Sequence, residues 1–305
     1  MAARQGVENI PANSLYEFSR HLAIFCGPSY ARLMQEIKAG WLLQADETRH
    51  RMLEGSIKKI WHLWSFNSSK GVVFFVEDTR AGEVAGKFLK DCECRVLVSD
   101  AYRGYSKAVN TLNEIRPFKI QIAYCNAHAR NNFCAKSIRN TRQSKYVIWI
   151  YKVIFACYKD FQHLDGEEFD KVKAKMERAF KMLKGLAEKE MPGLSSKSLL
   201  YDAFDYIIKY YEGLTLFLTD RAIPMHNNQS EQTLRNPVVG RKIWYGTHSP
   251  DTARDLMKIM SLVESCKMLK VNPRAYFDDL VDRVHEKQPA VSPFEYKQLK
   301  STNSS

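Results

Sequence analysis

Between Trp41 and Tyr124 the chain carries repeated short runs of branched and aromatic residues bounded by turn signals, and from Ala127 to about Leu218 its pattern is helical almost throughout. No other feature limits the fold as much. The early runs are Trp41–Ala45, Ile57–Asn67, Val72–Val76, Arg95–Ser99 and Ile120–Tyr124, and each has the length and composition of a strand. The second and third are joined across Ser-Ser-Lys-Gly as a hairpin, and helical patterns over Arg80–Leu89 and Tyr102–Leu112 separate the later ones. Three strands followed by strand–helix–strand crossovers predict an α/β fold, a mixed sheet with helices on its faces. The stretch after Ala127 reads as helix, with breaks near Asp165-Gly166, Gly185 and Pro192-Gly193.

Helices also flank this core. Leu15, Phe18, Leu22 and Phe25 fall on one face of a first helix, and Gly40 stops a second. Ser249-Pro250-Asp251 opens a helix to about Lys270, and Asn272-Pro273 opens another toward Val284. Organisation follows as an N-terminal helical segment (1–40), a core in two pieces (41–126 and 219–248) and a helical insertion (127–218). C-terminal helices (249–290) and a tail expected to be disordered (291–305) complete it.

Two strand-like runs each end in an aspartate, Asp46 and Asp100. If those strands are neighbours, both acids emerge on one sheet edge, where open α/β sheets place their ligands. Glu231, on a short helix that Asn228 or Ser230 could cap and Pro237 would end, supplies a third carboxylate. Three acids close together repel unless a cation neutralises them. Mg²⁺ does so with a few carboxylates, waters and substrate phosphates, and two such ions suit phosphodiester cleavage.

At these residues the sequence resembles insertion-sequence-66-type transposases. The matching segments, in the family's order, are ADET at Ala45–Thr48, TRAGEVAGKFL at Thr79–Leu89, SDAYRGY at Ser99–Tyr105 and CNAHAR at Cys125–Arg130. NNQSEQTLRNPVVGRKIW at Asn227–Trp244 and SLVESCKMLKVNPRAYFDDLV at Ser261–Val281 follow. The resemblance implies an RNase H-like core with a DDE triad, carried by motif onto Asp46, Asp100 and Glu231, with the helical insertion preceding the glutamate. It implies two Mg²⁺ ions, for which Mn²⁺ can substitute, cleavage at transposon ends and strand transfer into target DNA. It also implies a homo-oligomer on DNA with accessory proteins as further partners. The chain starts late against full-length relatives, so a truncated element that holds DNA without cutting is one alternative, and a metal-dependent nuclease of the same fold is another.

The chain departs from the family's pattern at His226, where relatives have aspartate, and at Gln232, where they have arginine. Histidine caps a helix poorly, so the loop of His226, Asn227 and Asn228 that supports Glu231 is expected to be looser, with activity reduced rather than lost. On that expectation His226→Asp matches or exceeds the parent's nicking rate.

Charge agrees with a nucleic-acid partner: 46 Lys and Arg against 34 Asp and Glu leave a formal +12 over 305 residues. Between Lys119 and Lys159 there are eight basic residues and no acid, a basic face that includes Arg130, Arg139 and Arg142. Arg235, Arg241 and Lys242 flank Glu231 and are candidates for phosphate contacts, and Trp244 and Tyr245 suit either base stacking or core packing. Cys125, His128 and Cys134 lack the fourth ligand of a structural zinc site, so a packed Cys and a hydrogen-bonded His are expected there. Glu77 and Asp78 read as solvated turn residues, and Glu47 is expected to point away from Asp46. Seven cysteines without framework spacing, no apolar signal core and no membrane-length run place the chain in the cytoplasm.

Overall fold

The computed structural model describes residues 11–53 and 58–302. It is mixed α/β, with the five expected strands in one mixed sheet and helices elsewhere, as an RNase H-like core requires. The chain divides into two compact units, residues 1–94 with 229–305, and residues 95–228.

In the first unit, α1 (Ala12–Phe25) and α2 (Gly27–Lys38) precede an antiparallel meander of β1 (Leu42–Arg51), β2 (Ile60–Ser68) and β3 (Gly71–Glu77). Helix α3 (Gly82–Lys90) follows, and α10 (Asn228–Trp244), α11 (Pro250–Met268), α12 (Pro273–His285) and α13 (Pro293–Thr302) complete the unit. Both faces of the meander are covered. On one, Phe88 of α3 stacks on Phe66 with ring centroids 4.0 Å apart. On the other, Trp61, Leu63, Phe74 and Val76 pack with Leu234 of α10 and Met257 of α11. This two-sided burial explains why β2 and β3 read as continuous apolar runs rather than alternating ones.

Among the described residues the outer strand β3 has no strand partner beyond β2, and α11 takes that place. Ser265 Oγ accepts the Val72 N–H at 2.9 Å and donates to the Val72 carbonyl at 3.1 Å, while Ser261 Oγ accepts the Phe74 N–H at 2.8 Å. Tyr30 of α2 donates to the Phe74 carbonyl at 3.0 Å. The match is geometric: two strand residues advance about 6.8 Å, and four helix residues about 6 Å. Gly71 permits the approach, since a Cβ there would lie 2.7 Å from Ser265 Oγ and 2.8 Å from Leu33 Cδ1.

The far end of β1 is fastened to the segment after α10. Thr247 N–H donates to Arg51 O at 3.1 Å, Leu53 N–H donates to Thr247 O at 2.9 Å, and His50 Nε2 lies 2.9 Å from Thr247 Oγ1. Burial, with the Arg241 charge adding to it, lowers His50 from 6.5 to about 4.

In the second unit, β4 (Val96–Ser99) and β5 (Gln121–Tyr124) are parallel and joined by α4 (Arg103–Ile115). Helices α5 (Asn126–Asn132), α6 (Arg142–Phe161), α7 (Gly166–Glu190), α8 (Leu199–Lys209) and α9 (Tyr211–Thr215) fill the rest. Gly213 lets α9 lie on β5, because a Cβ there would meet Tyr124 Cδ2 at 2.4 Å and Ile122 O at 2.6 Å.

Five expectations need correction. Asp46 does not end its strand: β1 runs to Arg51, because residues 47–51 all pair with β2, from Glu47↔Trp64 to Arg51↔Ile60. Pro237 does not end α10, which continues to Trp244 with Leu234, Pro237 and Gly240 buried. A mid-helix proline costs about 3 kcal/mol, and this burial, with the Asn236–Glu264 hydrogen bond at 2.9 Å, offsets it. Gly185 does not break α7; an exposed glycine costs only about 1 kcal/mol in a helix held by Met176, Phe180, Leu183 and Ala187. On α1 the buried residue is Ala23, while Phe18 and Leu22 are exposed and the Leu15 side chain lies outside the described positions.

The fifth concerns the tail. Residues 293–302 form α13, because Ser292 and Glu295 cap it reciprocally and Tyr296 packs edge-on against Tyr276 at 5.5 Å. Arg32 also pairs with Glu295. Residues 303–305 and the start of the expected Ile57 strand lie outside the described residues.

Two tests follow from this architecture. Ser265→Ala strips Val72 of both hydrogen bonds and should lower stability by about 1–3 kcal/mol in urea unfolding; an unchanged midpoint would show that α11 does not seal the strand. For His50, the unfolded chain takes up a proton near pH 6.5 and the folded one only near pH 4. The stabilisation is therefore complete above pH 6.5 and falls as pH drops toward 4, by an amount on the order of 3 kcal/mol. His50→Gln should flatten that part of the stability–pH curve.

Candidate active site

Asp46 sits at the middle of β1, half-buried, opposite Ser65 of β2, and its Oδ1 accepts the Glu47 N–H at 2.9 Å. Strand alternation places Gln44 and Asp46 on one face and Glu47 on the other. Glu47 accordingly faces away and receives Arg80, Nε at 2.8 Å and Nη2 at 2.5 Å, with its carboxylate only 2% exposed.

Glu231 lies in the first turn of α10 and is exposed, while Ser230, Thr233, Leu234 and Pro237 form the buried stripe. The start of this helix is tied to β1: Gln44 Nε2 donates to Gln229 Oε1 at 2.8 Å. The tie joins the residue two before Asp46 to the residue two before Glu231. Sequence reading missed this pair, and nothing in the pattern of either segment marks it.

Asp100 belongs to the second unit and follows β4 directly. Its Oδ1 accepts the Tyr102 N–H at 3.0 Å, an Asx turn that leads into α4. Burial, with Cys125 and Asp100 adding to it, raises the Tyr206 hydroxyl far above its ordinary value, which keeps that phenol neutral beside Asp100.

The loop before α10 is well anchored within the second unit. Asn126 Nδ2 donates to Leu214 O at 2.9 Å and Met225 O at 3.2 Å, the Asn126 N–H donates to Met225 O at 3.1 Å, and Asn227 N–H donates to Cys125 Sγ at 3.2 Å. Cys125 thus has a packing role of its own, and His128 is half-buried. The His226 ring stacks on Phe155 at 6.5 Å and meets Tyr158 edge-on at 5.7 Å. Asn227 is buried and Asn228 starts the helix. An aromatic box therefore holds His226, a role that an aspartate could not fill.

Among the basic candidates, Arg139 and Arg142 are exposed and Arg130 is half-buried. On α6, Lys145, Lys152 and Lys159 are exposed at seven-residue spacing, one stripe of the helix. Arg235 is exposed one turn after Glu231. Arg241 and Lys242 lie farther on, about 15 Å of helix rise from Glu231, and line a cavity with Arg49 and Arg51. Those two arginines were missed because the first strand was read too short; the alternation Arg49-His50-Arg51 is the signal. Tyr245 is 72% exposed, so it does not pack in the core, and the Trp244 side chain lies outside the described positions. Asp78 pairs with Lys58 at 2.8 Å as a turn residue. No helix among the described residues is long and apolar enough to cross a membrane.

Comparison with known proteins gives a consistent picture. The family model described as Transposase IS66 family matches residues 1–255. Three proteins of Sinorhizobium fredii (strain NBRC 101917 / NGR234) are similar, each known only as an uncharacterized protein. With y4hP the chain is 26% identical over 70% of its length and 40% of the relative's. With y4jD it is 22% identical over 84% and 53%, and with y4qI 25% identical over 94% and 56%. The chain thus spans about half the length of the curated relatives it matches.

The rings beside His226 bear on stability, a quantity separate from the nicking rate. His226→Asp sets a carboxylate against ring faces and takes the imidazole away from Phe155 and Tyr158, so thermal unfolding should show a loss of about 1 kcal/mol. A variant as stable as the parent would return the loop to the capping account.

Proposed function

The chain belongs to the Transposase IS66 family, and from that premise we propose that it carries the catalytic core of a DDE-type DNA transposase. The reaction is hydrolysis at a transposon end, followed by attack of the freed 3′-hydroxyl on target DNA. Asp46, Asp100 and Glu231 are the carboxylates of the triad, the first two assigned by the ADET and SDAYRGY motifs. The observation that carries the reading is the Gln44–Gln229 hydrogen bond, which ties the helix of Glu231 to the strand of Asp46 although they are far apart in sequence.

The donor set, carboxylate oxygens only, fits a hard cation such as Mg²⁺, and Mn²⁺ would be accepted for the same reason. Two such ions would activate the attacking oxygen and stabilise the leaving one. The residues themselves have distinct tasks. Asp46 is held on a strand paired on its hairpin side, which limits its movement. Asp100 is oriented by the turn to Tyr102. Arg235, exposed one turn after Glu231 on α10, would meet a phosphate there. Exposed Arg139 and Arg142 and the lysine stripe of α6, in the helical stretch 127–218, suit the DNA backbone. DNA as partner, a homo-oligomer on the DNA and help from accessory proteins belong to this proposal.

The test is a supercoiled plasmid incubated with the protein in Mg²⁺ or Mn²⁺. Nicking should appear and should be abolished by Asp46→Asn, Asp100→Asn or Glu231→Gln, each at least a thousandfold. Binding without nicking in the parent would favour a DNA-holding protein. Nicking without joining of a 3′-hydroxyl end to target DNA would favour a nuclease.

A further inference from the structure

The first unit holds a second charged feature, remote along α10 from Glu231. A cavity of about 600 Å³ is lined by Arg49, Arg51, Lys59, Arg241, Lys242 and Tyr245, and no acid lines it among the described residues. Five cations brought together, with no carboxylate beside them among the described residues, repel one another, an arrangement that costs stability unless an anion occupies the space. His50, at the floor, does not add to the charge, since it is buried and stays neutral above about pH 4.

The cavity is also preformed. Its two walls, the β1–β2 hairpin and the end of α10, are joined by the hydrogen bonds between Arg51 or Leu53 and Thr247. Gly246, at φ 141°, allows this: a Cβ there would lie 2.3 Å from Arg51 O. Tyr245 next to it has φ 65°, a left-handed conformation that costs a non-glycine residue energy, and it leaves the ring at the rim. Strain retained beside a cluster of like charges points to a ligand.

We propose that this cavity is a phosphodiester-binding site that grips the DNA backbone, with the Tyr245 ring at its rim against a sugar or base. The proposal rests on the transposase reading for its choice of DNA. It adds Arg49, Arg51, Lys59 and Tyr245 to the DNA-binding residues, remote along α10 from Glu231. Cations in such a site fix register and affinity rather than sequence choice.

The experiment measures binding of the full chain to a fluorescent DNA duplex by anisotropy, in EDTA, so that neither metal nor cleavage enters. The parent should bind, with affinity falling steeply as salt rises. Arg49→Gln combined with Lys242→Gln should lower the log–log salt slope by about two, one for each phosphate that is no longer neutralised. Arg139→Gln combined with Arg142→Gln is compared beside it. A parent that binds while the Arg49/Lys242 variant keeps the parent's slope and affinity overturns the site and leaves the transposase reading standing. A parent that does not bind DNA removes both. If the double variant does not fold, photocrosslinking of the parent to bromodeoxyuridine DNA decides: the tryptic peptide Ile243–Arg254 should carry the crosslink, and its absence from the crosslinked peptides overturns the site.

Discussion

The hydroxyls of Ser261 and Ser265 on the open side of β3 hold the first unit together. An outer strand otherwise presents unpaired N–H and C=O groups, which attract other chains. Here a helix supplies the partners, at a spacing set by the near coincidence of two strand steps and one helical turn. With α11 in place, Met257 closes the apolar face over Trp61 and Phe74. Asn236 of α10 bonds to Glu264 of α11 at 2.9 Å, so the helix that bears Glu231 is positioned through the same seal. Gly71 and Tyr30 complete it from the other elements.

Charge is distributed with a similar economy. Several acids of the first unit are engaged by cations or amides: Glu47 with Arg80, Asp78 with Lys58, and Glu264 with Lys267 and Asn236. The cations of the cavity at the hairpin end, by contrast, line one space with no acid among the described residues, and His50, which also lines it, stays neutral above about pH 4.

Much of the fold was legible in the chain. The existence and order of five strands, the crossover helix α4 and the caps Ser249 and Asn272 are as periodicity and capping chemistry predict. Of the candidate site, the residue types were legible and their settings were not. His226 departs from the family's pattern as a weaker cap, yet its contacts are with Phe155 and Tyr158, both on a helix about seventy residues earlier. Gln44 and Gln229 carry no local sign of their partnership.

The sequence by itself determined the type and order of the elements, the motifs that bear the three carboxylates, and the excess of positive charge. Only the tertiary structure decided that β1 continues past Asp46, that α10 continues past Pro237, that residues 293–302 form a helix, and that Arg49 and Arg51 share a cavity with Arg241 and Lys242. The reason is one of scale. Local propensities differ by a few tenths to about 1 kcal/mol per residue, and even a mid-helix proline costs only about 3 kcal/mol. Burial of an apolar side chain against distant residues contributes about 1.5–3 kcal/mol each time, so contacts remote in sequence settle where an element ends.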